Sequence, residues 1–388
     1  MTYRKISSSK IFDGYRFVND HVLVMENGRV TDLIPEKDAG TAIEWMEGIL
    51  CPGLVNCHCH LELSHMKGVI PEKTGLVDFV YQVVTGRHHS DEDILRAVQE
   101  AEDEMKRNGI VAVGDICNNA LTIGQKKKER LLYYNFIESS GWLPSVAGIR
   151  FERAKELFEM YSECSSNRMH TSIVPHAPYS VSENLWKSIR PFFENMTVSM
   201  HNQETAFEDE FFLTGTGDFQ RMYKMMKIDN SHHLPTRKSS LQSSFGHLMD
   251  AANIILVHNT FTRQDDIDYI TRMSTAGSTP EIYFCCCPNA NLYIENSLPP
   301  IDVFRNNRCN ITLGTDSLAS NHELNILSEI RTIRKNFKVP DDELLSWATI
   351  NGAKALQMDK KLGSFEKGKE PGVILLNDEL QLRRVLIS

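Results

Sequence analysis

The chain has 388 residues, of which 41% are hydrophobic and 24% charged, with a formal net charge of −9. That is an ordinary globular composition, long enough for one large α/β barrel plus a small accessory domain, and it excludes disorder as the default. The acidic balance, with no basic block longer than Lys126-Lys127-Lys128, argues against nucleic acid or an anionic membrane as partner. That run is read as a solvated helix face. Met1 to Phe12 mixes Arg4, Lys5 and Lys10 with three serines and holds no apolar stretch of signal-peptide or membrane-span length, so a cytoplasmic protein is expected. Nine cysteines are present, three of them consecutive (Cys285, Cys286, Cys287). On a strand these neighbours point to opposite faces, so they are expected to be reduced, mostly buried small hydrophobes.

Residues 1 to about 50 carry short alternating segments, His21 to Met25 and Arg29 to Ile34, joined at Asn27-Gly28, a strong hairpin signal. From Gly53 to about Met358, apolar runs alternate with amphipathic helical stretches such as Asp91 to Lys106. The runs Cys51 to His60, Gly109 to Ile116, Tyr133 to Glu138, Thr171 to Pro175, Met196 to His201, Asn253 to His258, Ile282 to Cys287 and Asn310 to Asp316 predict eight strands. Eight is the count of a (β/α)8 TIM barrel. After a Gly- and Lys-rich turn at Gly363 to Gly372, Val373 to Leu376 and Gln381 to Ile387 read as strands that need a partner. The expectation is α/β: a barrel over 51–358 and a small β-sandwich domain built from both termini, 1–50 and 359–388. Asp229 to Gly246, rich in Ser, His, Asn and Lys, is expected to be a long surface loop over the barrel mouth.

His58, Cys59 and His60 form a His-x-His triplet behind an apolar run. Residues two apart on a strand share a face, so both imidazoles aim at one point, which is half of a metal site. A single His on an apolar strand is more often a packing residue than a ligand. His201, His258 and Asp316 each end a later run, however, as a closed barrel needs in order to surround one ion. Glu204 lies three residues past His201, where its carboxylate reaches the ion's water, the bland alternative being a helix cap. Asp316 has the same alternative, as a cap for a helix beginning near His322. His176 stands between two prolines in Pro175-His176-Ala177-Pro178, a rigid loop suited to touching substrate.

Taken together, Pro52-Gly53-Leu54-Val55-Asn56-Cys57-His58-Cys59-His60, Pro175-His176-Ala177-Pro178-Tyr179, His201-x-x-Glu204, His258, Leu313-Gly314-Thr315-Asp316-Ser317 and Leu362-Gly363-Ser364-Phe365-Glu366-Lys367-Gly368-Lys369 resemble the amidohydrolase superfamily. The branch is the cytosine deaminase-like one, with S-adenosylhomocysteine/adenosine-type deaminases and chlorohydrolases, and Leu61-Glu62-Leu63-Ser64-His65 resembles its aminodeoxyfutalosine deaminases. The resemblance implies metal ligation by His58, His60, His201 and Asp316, proton handling by Glu204 and His258, and substrate contact by His176. The strand before His176 ends without the bridging Lys of binuclear members, so one ion is expected, Zn2+ first and Fe2+ second. The implied activity is hydrolytic deamination of an amino-substituted, purine nucleoside-like heterocycle, with a homodimer as a family-level expectation. Two alternatives are a chlorohydrolase or N-alkylamine hydrolase on triazine-like rings, and a non-catalytic barrel that binds metal or ligand.

Overall fold

The computed structural model describes residues 3–164, 169–274 and 280–387. The first five strands are β1 (Tyr3–Phe12), β2 (Phe17–Val18), β3 (His21–Glu26), β4 (Arg29–Pro35) and β5 (Glu44–Pro52). The Asn27-Gly28 signal becomes a two-residue turn, with Glu26 paired to Arg29 and φ of 51° and 83° at the two central residues. Only residues that tolerate φ > 0 at both positions make such a turn.

Eight parallel strands follow. β6 (Leu54–Cys59), β7 (Ile110–Cys117), β8 (Leu132–Ser139) and β9 (Met169–Pro175) pair in that order as one sheet. β10 (Thr197–Asn202), β11 (Asn253–His258), β12 (Glu281–Cys286) and β13 (Asn310–Leu313) pair as another. Main-chain bonds also cross between the sheets. The N–H groups of Thr315 and Asp316 both donate to the His58 carbonyl at 3.1 Å, and the N–H of His201 donates to the His176 carbonyl at 2.9 Å. Every residue of β6, β7, β10 and β11 is buried, the pattern of parallel strands covered on both faces.

The two ends of the chain then meet. β14 (Val373–Leu376) pairs antiparallel with β5, and β15 (Leu382–Ile387) with β14, giving one seven-stranded sheet in the order β15-β14-β5-β1-β3-β4 with β2 on β1. The single strand expected over Cys51 to His60 is therefore divided: Pro52 ends a strand of this sheet and Leu54 begins one of the parallel set. Gly53 makes the crossing possible, because a Cβ there would stand 2.3 Å from Val111 Cγ1 and 2.7 Å from the Pro371 carbonyl oxygen.

Three other expectations are corrected. Lys126 is not on a solvated face but 1% exposed, its ammonium 2.5 Å from the fully buried Asp115. The segment 229–246 is not all surface loop: Ser240–Ser244 is a short helix whose Ser240 and Leu241 are fully buried. The helix after Asp316 starts at Ile326 with Asn325 as its N-cap, so Asp316 is not its cap. All nine cysteines are free thiols, seven of them buried. Among the described residues no helix is long and apolar enough to cross a membrane.

Candidate metal and catalytic centre

The C-terminal ends of the parallel strands deliver the site. β6 alternates so that His58 and His60 turn to the same side, and their Nε2 atoms stand 3.2 Å apart. Asp316, three residues beyond β13, brings Oδ1 to 3.4 Å from both of these nitrogens. His201 in β10 places its ring centroid 4.8 Å from that of His58, and His258 at the end of β11 stands 5.4 Å from His201. Glu204 Oε1 is 3.5 Å from His258 Nε2. Gln203, His258 and Asp316 have φ of 43°, 72° and 56°, a left-handed backbone that non-glycine residues hold only where surrounding structure compels it.

Each group is fixed from behind. The Nδ1 of His201 lies 2.8 Å from the His176 carbonyl, so it carries the proton and leaves the Nε2 lone pair facing the cluster. The Asn291 amide stands 3.1 Å from His258 Nδ1, and Ser320 Oγ donates to Asp316 Oδ2 at 2.5 Å. Asp115 accepts the N–H of Leu61 at 2.8 Å, anchoring the main chain directly after His60.

Burial sets the charge states. It pushes the His60 and His201 imidazoles below their ordinary value and takes His258 down to about 3. Burial also pushes the Glu204 carboxyl well above the usual carboxylate range, reinforced by the negative charges of Asp316, Glu295 and Glu208. Asp316 goes the other way. Burial would raise it, but the His58 hydrogen bond and the nearby His60 and His258 rings hold it well below that range.

These residues fit a divalent ion. Neutral imidazoles and an ionised carboxylate are the ligating forms. A tetrahedral shell with bonds of about 2.1 Å has edges of about 3.4 Å, which the separations of 3.2, 3.4 and 3.4 Å among His58, His60 and Asp316 match. Ligand atoms of His58, His60 and His201 lie within 4.8 Å of one another, as do those of His58, His258 and Asp316. Geometry alone therefore brings His258 as close to the convergence point as the four residues named from the sequence.

The centre forms the floor of a cavity of about 720 Å³, whose walls include Phe79, Trp142, Tyr179 and Tyr223. His176 also lines it, beside a residue that the sequence reading missed: Glu138, whose Oε1 is 2.6 Å from His176 Nδ1. Asn118 Nδ2 donates to the other Glu138 oxygen at 2.8 Å. Burial would raise the Glu138 carboxyl, yet the charge and hydrogen bond of His176 hold it far below the carboxylate range. A carboxylate as the last residue of a predicted buried strand was the available signal, the same one that marked Asp316.

Comparison with known proteins places the chain in a family. The amidohydrolase family model matches residues 49–386. The 5-methylthioadenosine/S-adenosylhomocysteine deaminase of Saccharophagus degradans is 25% identical over 383 residues, covering 92% of this chain and 78% of that protein. The crystal structure of Helicobacter pylori aminofutalosine deaminase with methylthio-coformycin superposes with a TM-score of 0.83 at 19% identity, over 99% of this chain and 98% of that one. The zinc complex of atrazine chlorohydrolase from Arthrobacter aurescens gives a TM-score of 0.72 at 16% identity, over 96% and 87%. The chain belongs to the amidohydrolase family.

Proposed function

We propose that this protein is a metal-dependent hydrolytic deaminase that releases ammonia from an amino-substituted heterocycle of the purine-nucleoside kind. One observation carries the reading. His58, His60, His201 and Asp316 stand at a cavity floor in two overlapping clusters that share His58, beside Glu204 and His258, which lie 3.5 Å apart and which burial shifts up and down respectively. The four donors would hold one divalent ion, zinc ahead of iron, which when bound supplies the Lewis acidity that makes water a nucleophile near neutral pH. Asp316, ionised in the fold, accepts the proton that the attacking water loses. His258 holds and polarises that water. Glu204, kept protonated by burial, donates to the ring nitrogen and then helps the amine depart. His176, oriented by Glu138, contacts the substrate beyond the reacting ring.

Relatives named as deaminases of adenosine-type compounds support this substrate class, and the cavity is of a size that accommodates a nucleoside. A halide leaving group needs no proton, so the protonated Glu204 favours amine over chloride departure. A purely structural site would be closed by ligands without an acid–base pair alongside. The same reading extends to the architecture. The main-chain bonds across both seams support one closed (β/α)8 barrel over 51–358. The close approach of Gly28, between β3 and β4, to Ile387 in β15 at the other edge supports a sandwich-like closure of the 1–50 and 359–388 sheet.

The test is ammonia release by protein of measured metal content from adenosine, S-adenosylhomocysteine, aminodeoxyfutalosine, guanine, cytosine and melamine. Release from a purine is expected, and Glu204→Gln should cut kcat by at least about 100-fold with metal content unchanged. Metal loss in that variant would move Glu204 into the ligand set. Silence of the metal-loaded wild type on the whole panel would overturn the deaminase.

A further inference from the structure

We infer that Glu208 is the positioning residue for Glu204, and that the buried part of segment 229–246 serves to hold this clamp rather than to form the cavity wall. The inference rests on the reading of Glu204 as proton donor. Among the described residues, the Glu204 carboxyl is tied to no side chain more closely than the 3.5 Å to His258. Where that carboxyl sits is therefore decided by its main chain.

That main chain is gripped from the following helix, Ala206–Thr214. A carboxylate at the third position of a helix ordinarily reaches back to the N–H of the capping residue, here Thr205. Glu208 passes over Thr205. Its Oε1 accepts the N–H of Gln203 at 3.0 Å and its Oε2 the N–H of Glu204 at 3.3 Å. Glu208 is 1% exposed, so water does not compete for these bonds. The helix gives up its own cap to hold the two residues that follow His201 and Asn202 out of β10.

Gln203 completes the clamp. Its left-handed backbone is secured by a fully engaged side chain: Nε2 donates to Asp209 at 3.1 Å and to Asp266 at 2.9 Å, and Oε1 accepts from Thr262 at 2.7 Å. Both acids are in turn held by the short helix of the 229–246 segment. The Ser240 N–H donates to Asp209 at 3.0 Å, and Ser239 Oγ to Asp266 at 2.5 Å. The cavity lining includes Ile228 but no residue of 229–246, so what this helix contributes to the site passes through Gln203 and through the hydrogen bond of Ser240 to Glu208.

The experiment compares Glu208→Gln, Glu204→Gln and the double variant, using the panel amine that wild type turns over. The amide keeps the shape of Glu208 but has one accepting oxygen for two N–H donors. Glu208→Gln should lower kcat by about 10- to 100-fold, the scale of a small misplacement of a reacting group, with KM and metal content near wild type. In the Glu204→Gln background it should cost nothing further, because it acts through Glu204. Hydrogen exchange, read without substrate or metal, should quicken at the amides of Gln203 and Glu204. Equal losses in both backgrounds, a rise in KM with kcat kept, or unchanged exchange would each overturn the inference. Wild-type turnover by Glu204→Gln alone would instead sink the reading of Glu204 itself. If Glu208→Gln does not fold, Glu208→Asp, which keeps the carboxyl and withdraws its oxygens, should lower kcat part-way, and full activity there overturns the clamp.

Discussion

Ser320 shows how much of this site depends on groups one bond away from it. Its hydroxyl donates to the Asp316 oxygen that does not face the histidines, and Ser320 is fully buried, so no solvent replaces it. Ser320→Ala should weaken metal binding by about 10- to 100-fold, measured by competition with a chelator, with the unfolding midpoint of the metal-free protein nearly unchanged. A variant that binds metal as wild type does would show that the left-handed backbone at Asp316 suffices to aim the carboxylate. The His-x-His pair could be read from the sequence because strand alternation is a local rule. Glu208 could not, and Glu138 carried only its place at a strand end. Glu138 acquires its meaning from His176, 38 positions away. Glu208 resembles any acid in the first turn of a helix, until the main chain it bonds is known.

At the scale of elements, the parallel strands were visible because strands buried on both faces are continuous apolar runs, each ended by a polar residue. Their ends moved by a few residues, and the run at Cys51 hid two strands because the turn at Gly53 leaves no polar punctuation. The Lys run misled because charge alone does not tell which of three consecutive lysines turns inward. Lys126 enters a pocket with Asp115 at 2.5 Å, Asn135 Oδ1 at 2.8 Å and Cys117 Sγ at 3.2 Å, its ammonium 5.0 Å from the centroids of the Tyr133 and Tyr161 rings. Burial pulls this ammonium down, and Asp115 and Cys117 more than restore it. Because Asp115 also holds the Leu61 N–H behind His60, the pair ties helix Ile123–Lys126 to the first ligand strand. Lys126→Met leaves an uncompensated buried carboxylate and should cost about 3–5 kcal/mol, seen as a lowered thermal midpoint. Adding Asp115→Asn should recover most of that loss, since the amide oxygen still accepts the Leu61 N–H. An unaltered midpoint in the single variant would mean that water reaches Asp115.

For the whole molecule, the buried acids set a pH dependence that an acidic composition would not suggest. Burial raises Glu62 to about 7 and Glu329 to about 8, from an ordinary 4.5. Between those limits the folded chain binds protons that the unfolded chain has released, so stability falls as pH rises through the window. Each group contributes a slope of up to about 1.4 kcal/mol per pH unit. Burial lowers the histidines His65, His170, His233 and His247, which act in the opposite sense. They stay uncharged in the fold while the unfolded chain takes up protons below about 6.5, so stability falls on that side as pH drops. Between pH 6.5 and 8 the carboxyls act alone among these groups. The urea midpoint of the protein, measured at saturating zinc, should therefore decline across that interval rather than plateau. Glu329 tests the effect: it accepts the Asn289 N–H at 2.9 Å and the Asn321 amide at 2.8 Å, and the nearby charge of Asp316 adds to its burial. Glu329→Gln cannot ionise, so its midpoint should fall less steeply over the same interval. Parallel pH profiles for wild type and variant would show that Glu329 is already ionised in the fold and that its two hydrogen bonds outweigh its burial.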